Sequence, residues 1–117
     1  MTRFAQSAVV AASVAAFGAL FSVSAQAADL AAGKAKAEQA CAACHAKEGN
    51  WSAPIDPSYP KLAGQYKDYL YQALVQYKDG RRKNGIMAGM AAALSKDEMN
   101  NLSAYFASLP TELNTHR

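Results

Sequence analysis

The stretch Cys41-Ala42-Ala43-Cys44-His45 constrains this chain more than any other. Its C-x-x-C-H spacing is the one by which haem is attached covalently to protein. Two thiols at this spacing each add to one vinyl group of the same porphyrin. The histidine directly after the second thiol is then carried under the iron as an axial ligand. The motif contains both cysteines of the chain, so neither serves elsewhere. Three other chemistries use such a pair. A redox dithiol sits at the start of a helix in a βαβ pattern, and no such pattern is found here. A zinc site needs a second pair, but no further C-x-x-C or H-x-x-x-H follows, and the only other histidine is His116. A local disulfide fits an oxidising compartment. Covalent haem is the reading that the rest of the chain supports.

The first residues read as an export signal. Arg3 supplies a positive start, Val9 to Val23 is an uncharged run of small and apolar residues, and Ala25-Gln26-Ala27 is an A-x-A cleavage site. Cleavage is expected after Ala27, so residues 1–27 are a secretory signal peptide and residues 28–117 a single domain. The competing reading is an uncleaved anchor, since no charge lies between Arg3 and Asp29. The mature chain is small and buries a limited core. A large flat apolar cofactor would supply much of the missing buried surface. Without Arg3 the 12 Lys and Arg fall to 11, against 9 Asp and Glu. Two haem propionates would bring this excess to about zero, so nothing points to nucleic acid. Export also suits the cysteines, because bacteria join haem to thiols outside the cytoplasm; the expected compartment is the periplasm.

Hydrophobic periodicity predicts three helices and no alternating strand, an all-α class. The first runs from about Leu30 to Ala43 with Asp29 as N-cap. Gly33 within it is either tolerated at a cost of about 1 kcal/mol or marks a close helix–helix pass. The second spans about Tyr66 to Lys78, with Tyr66, Tyr69, Leu70, Ala73, Leu74 and Tyr77 on one face. Asp79-Gly80 ends it. The third opens on Ser95 with Glu98 at N3, a capping box, and Leu94 and Met99 are placed for the hydrophobic staple. Its buried stripe is Met99, Leu102, Tyr105, Phe106 and Leu109, and Pro110 stops it. A long loop with Pro54, Pro57 and Pro60 joins the first two helices, and a basic, glycine-containing loop runs from Gly80 to Met90. The first is long for a compact domain and needs something to wrap around, such as a haem edge. Trp51 lies near that edge or simply covers the loop.

Taken in order, these segments resemble a class I cytochrome c of the bacterial c4 or c553-like type. The resemblance rests on Gly33, the Cys41-to-His45 motif, Tyr59-Pro60-Lys61-Leu62-Ala63-Gly64-Gln65, Gly80-Arg81-Arg82-Lys83-Asn84 with the methionines after it, and Leu94-Ser95 with Ala104-Tyr105-Phe106. It implies three main helices with long loops wrapped around one covalently bound haem c, the first and last helices crossing near Gly33 and Leu102 to Phe106. The group often carries two such domains in tandem; this chain has one motif and looks like a one-haem relative. The resemblance also implies the axial pair. His45 binds the iron through Nε2, while the carbonyl of Pro60 accepts from the other ring nitrogen and holds the tautomer. Met87, the first methionine after the R-x-N segment, is the sixth ligand, with Met90 as second choice. A thioether there raises the reduction potential and blocks the position where oxygen or peroxide would bind.

The expected function is electron transfer between redox protein partners, a donor and an acceptor such as a membrane oxidoreductase, a dehydrogenase or a terminal oxidase. No small-molecule substrate and no catalytic acid–base pair are expected. The alternative is a peroxidase-like haem enzyme or a gas sensor with an open sixth position. Arg81, Arg82 and Lys83 are either a solvated face or partners for a propionate or an acidic rim.

Overall fold

The computed structural model describes residues 26–111. The expected export signal lies almost wholly outside the described residues, as does His116. Among the described residues there are five helices and a single isolated bridge, between Lys47 and Asn50. No helix among them is long and apolar enough to cross a membrane.

Helix α1 (Leu30–Ala40) starts where Asp29 caps it, the carboxylate accepting from the backbone N–H of Ala32 at 3.0 Å. The single helix expected to Ala43 is instead two. Cys41 interrupts it with φ −109° and is the C-cap of α1 and the N-cap of α2 (Ala42–His45). The helix also runs further than expected, because the amides of His45 and Ala46 donate to the carbonyls of Cys41 and Ala42. The whole C-x-x-C-H motif is therefore held on one short helical turn.

Helix α3 (Lys67–Lys78) keeps the expected end, with Asp79 as C-cap and Gly80 at φ +82°. Its inward face shares Leu70 and Leu74 with the expected stripe and adds Tyr71 and Val75. Leu70 is buried, and Tyr71, Leu74 and Val75 pack against the core. Tyr66 and Tyr69 are 50 % and 48 % exposed. The inward side is thus rotated toward Tyr71 and Val75, away from Tyr66 and Tyr69.

The segment expected as a loop from Gly80 to Met90 contains a further helix, α4 (Gly85–Ala92). Two glycines hide it in the sequence. Asn84 nucleates it by accepting from the Met87 N–H at 3.0 Å, and α3 gives it a surface to pack on. Lys78 then donates to the Leu94 carbonyl, tying the end of α3 to the segment after α4.

Helix α5 (Lys96–Ser108) opens on the expected capping box. Ser95 Oγ accepts from the Glu98 N–H at 3.1 Å, and Glu98 Oε2 accepts from the Ser95 N–H at 2.9 Å. Leu94 and Met99 are both buried, as a staple requires. Lys36 Nζ reaches Glu98 Oε1 at 2.7 Å, so the same carboxylate binds α1 to α5. Hydrogen bonding to Lys36, then to the Ser95 backbone, holds the Glu98 carboxyl below its ordinary range. Ser95→Ala removes the cap and should cost about 1 kcal/mol, read as a lower midpoint in denaturant with an unchanged slope.

The core lies along α5. Met99, Leu102, Tyr105 and Phe106 are buried there. Trp51 packs edge-on against Phe106 at 5.0 Å and against Tyr105 at 6.4 Å between ring centroids. Its carbonyl lies 3.4 Å from the backbone nitrogens of Leu62 and Ala63. Trp51 thus anchors the long proline-containing loop to α5. Gly64 completes that anchor: its N–H donates to the Phe106 carbonyl at 2.8 Å, and at φ +71° a Cβ there would lie 2.1 Å from a Thr111 side-chain atom.

Candidate functional site

Helix α2 places the motif's side chains through its own geometry. Cys41 and Cys44 stand at i and i+3, neighbours on one side of a helical turn. Both are free thiols and both are half-buried. Burial pushes the Cys41 thiol up to about 11, with Lys36 opposing and Cys44 adding to the rise. The next residue, His45, is buried at 6 % exposure.

The imidazole is fixed from outside α2. Its Nδ1 lies 2.9 Å from the carbonyl oxygen of Pro60. A carbonyl only accepts, so Nδ1 carries the hydrogen and donates. The lone pair is left on Nε2, the atom suited to a metal. Tyr59 adds a wall, its ring centroid 6.0 Å from that of His45. The turn before it is also held: the Tyr59 N–H donates to the Asp56 carbonyl, and the Ser58 N–H to Asp56 Oδ1 at 2.8 Å. Ser58's side chain and then its backbone N–H hold the Asp56 carboxyl below its usual range. The Ile55 N–H donates to the Cys44 carbonyl at 3.3 Å, which closes this loop onto the motif.

The structure thus brings Cys41, Cys44, His45 and Pro60 together. Met87 and Met90 sit on a different element, α4, one turn apart. Met87 is half-buried and Met90 is 41 % exposed. Met87 is the N3 residue whose backbone Asn84 holds. In the sequence Tyr59 counts only as the first residue of the Tyr59-to-Gln65 segment, and Ile55 carries no signal of its own; their places follow from the loop's turn chemistry, for which Asp56-Pro57-Ser58 is the local signal.

This donor set fits a covalently attached haem. Two thiols lie one helical turn apart, and the neighbouring imidazole offers one nitrogen with the other committed. Ile55, whose N–H reaches the Cys44 carbonyl, presents exposed apolar surface beside the motif that a flat apolar group would cover. Among the described residues no group of three or more His, Cys, Asp or Glu side chains is placed to hold a metal ion directly, so the zinc alternative finds no ligand set there.

Comparison with known proteins agrees with this geometry. The pattern of the family described as cytochrome c matches residues 30–110. Cytochrome c4 of Thiocapsa roseopersicina is 44 % identical over 85 residues, 73 % of this chain and 42 % of that protein. Cytochrome c-554(548) of Halomonas halodenitrificans is 41 % identical over 83 residues, 68 % of this chain and 95 % of that protein. Among solved structures, cytochrome c4 of Acidithiobacillus ferrooxidans superposes with a TM-score of 0.63 at 31 % identity, over 75 % of this chain and 54 % of that one. The chain spans about two fifths of the length of the first of these relatives.

Proposed function

Because the chain belongs to the cytochrome c family, as a class I c-type cytochrome of the c4 type with covalently bound haem c, we propose that it is a periplasmic carrier of single electrons. When bound, the haem supplies a one-electron ferric–ferrous couple. Every other part of the task falls to the chain. Cys41 and Cys44 would hold the group through two thioethers, and His45 Nε2 and the Met87 sulfur would bind its iron. The observation that carries this reading is the His45 Nδ1 to Pro60 hydrogen bond at 2.9 Å. It leaves one ring nitrogen for the iron and fixes the ring's orientation before any ligand arrives.

The methionine side supports the same reading. A soft thioether favours the ferrous state and raises the potential. Backbone capping by Asn84 holds the start of α4, so the Met87 sulfur is delivered from an ordered turn. With His45 and Met87 both bound to the iron, neither oxygen nor peroxide would find a place to bind, and no acid–base pair would be required of the protein. The partners are then a redox donor and a redox acceptor; neither nucleic acid nor a small-molecule substrate has a role. Export with cleavage after Ala27 belongs to the same reading, because thioether formation in bacteria takes place outside the cytoplasm.

Exogenous ligands test the closed coordination. Carbon monoxide added to the reduced protein, or cyanide to the oxidised protein, should bind slowly or not at all at neutral pH, followed by absorbance. Rapid binding to the unmodified protein would overturn the carrier reading in favour of an open, peroxidase-like or gas-sensing site.

A further inference from the structure

The chain has five asparagines, Asn50, Asn84, Asn100, Asn101 and Asn114, and only Asn84 is followed by glycine. Asparagine is chemically labile: the backbone nitrogen of the next residue can attack its side-chain carbonyl carbon, Cγ. A following glycine favours this attack, because it puts no Cβ in the way. Tryptophan, asparagine, leucine and threonine follow the other four.

Asn84 and Gly85 are both exposed, and a Cβ at Gly85 would meet nothing within 4 Å. Water therefore reaches the pair freely, but the fold restrains it. Asn84 Oδ1 accepts from the Met87 N–H at 3.0 Å, and the Asn84 carbonyl accepts from the Ala88 N–H at 2.9 Å. At ψ 115° the Gly85 nitrogen points away from the Asn84 side chain. Bringing it to Cγ requires the Asn84–Gly85 peptide to turn about the Cα–C bond. That rotation carries the Asn84 carbonyl with it and breaks the bond from Ala88, the first helical bond of α4. Exposed first turns of this kind open locally at far less cost than global unfolding.

We propose that Asn84 is a self-modification site gated by the first turn of α4, and that its isoaspartyl product keeps this turn open. When the turn opens, the Gly85 nitrogen bonds to Asn84 Cγ and the Cγ–Nδ2 bond breaks. Ammonia leaves with the proton that Gly85 gave up, and a five-membered succinimide remains. Water then opens the ring at either carbonyl. Attack at Cγ gives aspartate, which caps a helix as asparagine does. Attack at the backbone carbonyl gives isoaspartate, whose main chain runs through Cβ and Cγ and is one methylene longer. The oxygen that accepted from Met87 then belongs to the main chain, and the oxygen that accepted from Ala88 to a free carboxylate, so neither resumes its place. The consequence for function rests on the electron-carrier reading: Met87, carried on this turn, would lose its set position toward the iron.

The test incubates the full haem-loaded chain at mildly alkaline pH and follows Asn84 by peptide mass and by enzymatic methylation of isoaspartate. A one-dalton gain at Asn84, ahead of Asn50, Asn100 and Asn101 and with isoaspartate as the main product, is expected. No gain there, or a gain no faster than at the other three, overturns the proposal. Gly85→Ala should slow the conversion by roughly tenfold or more, and the open space at Gly85 lets the fold accept the methyl group. An unchanged rate would mean that the Gly85 nitrogen is not the attacking group. The same chain unfolded in urea should convert roughly tenfold faster than the folded protein; equal rates would show that the capped turn does not gate the reaction. In the folded protein the far-red sulfur-to-iron charge-transfer band should decay in step with isoaspartate, and in the Gly85→Ala protein it should persist. A band that persists while isoaspartate accumulates would show that the product leaves the turn closed, against the second half of the proposal. A fresh protein without the band marks failure of the Met87 assignment instead; the mass measurement at Asn84 does not involve the iron and decides the modification separately.

Discussion

Met87→Ala should convert the oxidised protein from a low-spin to a high-spin spectrum, while Met90→Ala should not. The two sulfurs are one turn apart on α4, so the comparison holds helix, charge and side-chain type constant. Met87 sits at N3, where its backbone N–H is bound to Asn84 Oδ1 at 3.0 Å. Met90 is the more exposed of the two, at 41 %. Loss of the soft axial sulfur should also lower the reduction potential, by on the order of 100 mV within the ~0.8 V range that axial ligands span. Carbon monoxide should then bind the reduced Met87→Ala protein readily. The reverse pattern, with Met90→Ala opening the site, would exchange the roles of the two methionines.

Gly33→Ala should lower the thermal midpoint by on the order of 10 °C or more, even though alanine is the better helix former. In isolation the change would favour α1 by about 1 kcal/mol. In the folded protein a Cβ at this position would lie 2.2 Å from the Asn101 carbonyl oxygen, 2.8 Å from its carbon and 2.9 Å from Tyr105 Cβ. Two of these atoms are backbone, so relief requires α1 and α5 to separate. The same contact carries other bonds: the Asp29 N–H donates to Asn101 Oδ1 at 2.8 Å, and Lys36 pairs with Glu98. A net loss of about 2–3 kcal/mol is expected for overpacking here. In a domain this small each kcal/mol is worth roughly 4–8 °C. A midpoint equal to or above that of the unmodified protein would show that the two helices pass less closely than these distances state.

The features legible in the sequence are those governed by local rules. The Ser95–Glu98 capping box, the stop at Asp79-Gly80 and the stripe on α5 each depend on residues within a turn or two. The close pass at Gly33 was one of two readings, and the backbone of Asn101 decides it. What sequence reading missed depends on tertiary packing. Helix α4 carries two glycines and no amphipathic period, and it exists because Asn84 caps it and α3 receives it. On α3 Leu70 and Leu74 go inward as the stripe places them, but Tyr71 and Val75, which lie off it, also pack against the core while Tyr66 and Tyr69 stay about half exposed, because the neighbouring α5 lies to one side of the stripe. The site divides in the same way. Both thiols and the imidazole stand in one five-residue motif. The acceptor for His45 lies 15 residues away across a proline-containing loop, and no local spacing encodes that distance. It was reached through the family resemblance, as was the preference for Met87. The places of Tyr59 and Ile55 against the motif likewise depend on contacts across the loop.

The central claim is an iron held by His45 and Met87 in an exported, haem-bearing carrier. The most direct measurement is the absorption spectrum of the oxidised protein after periplasmic expression, scanned into the far red. A low-spin spectrum with a weak sulfur-to-iron charge-transfer band is expected. A high-spin spectrum without that band would contradict it and leave a haem protein whose sixth position is open to small ligands.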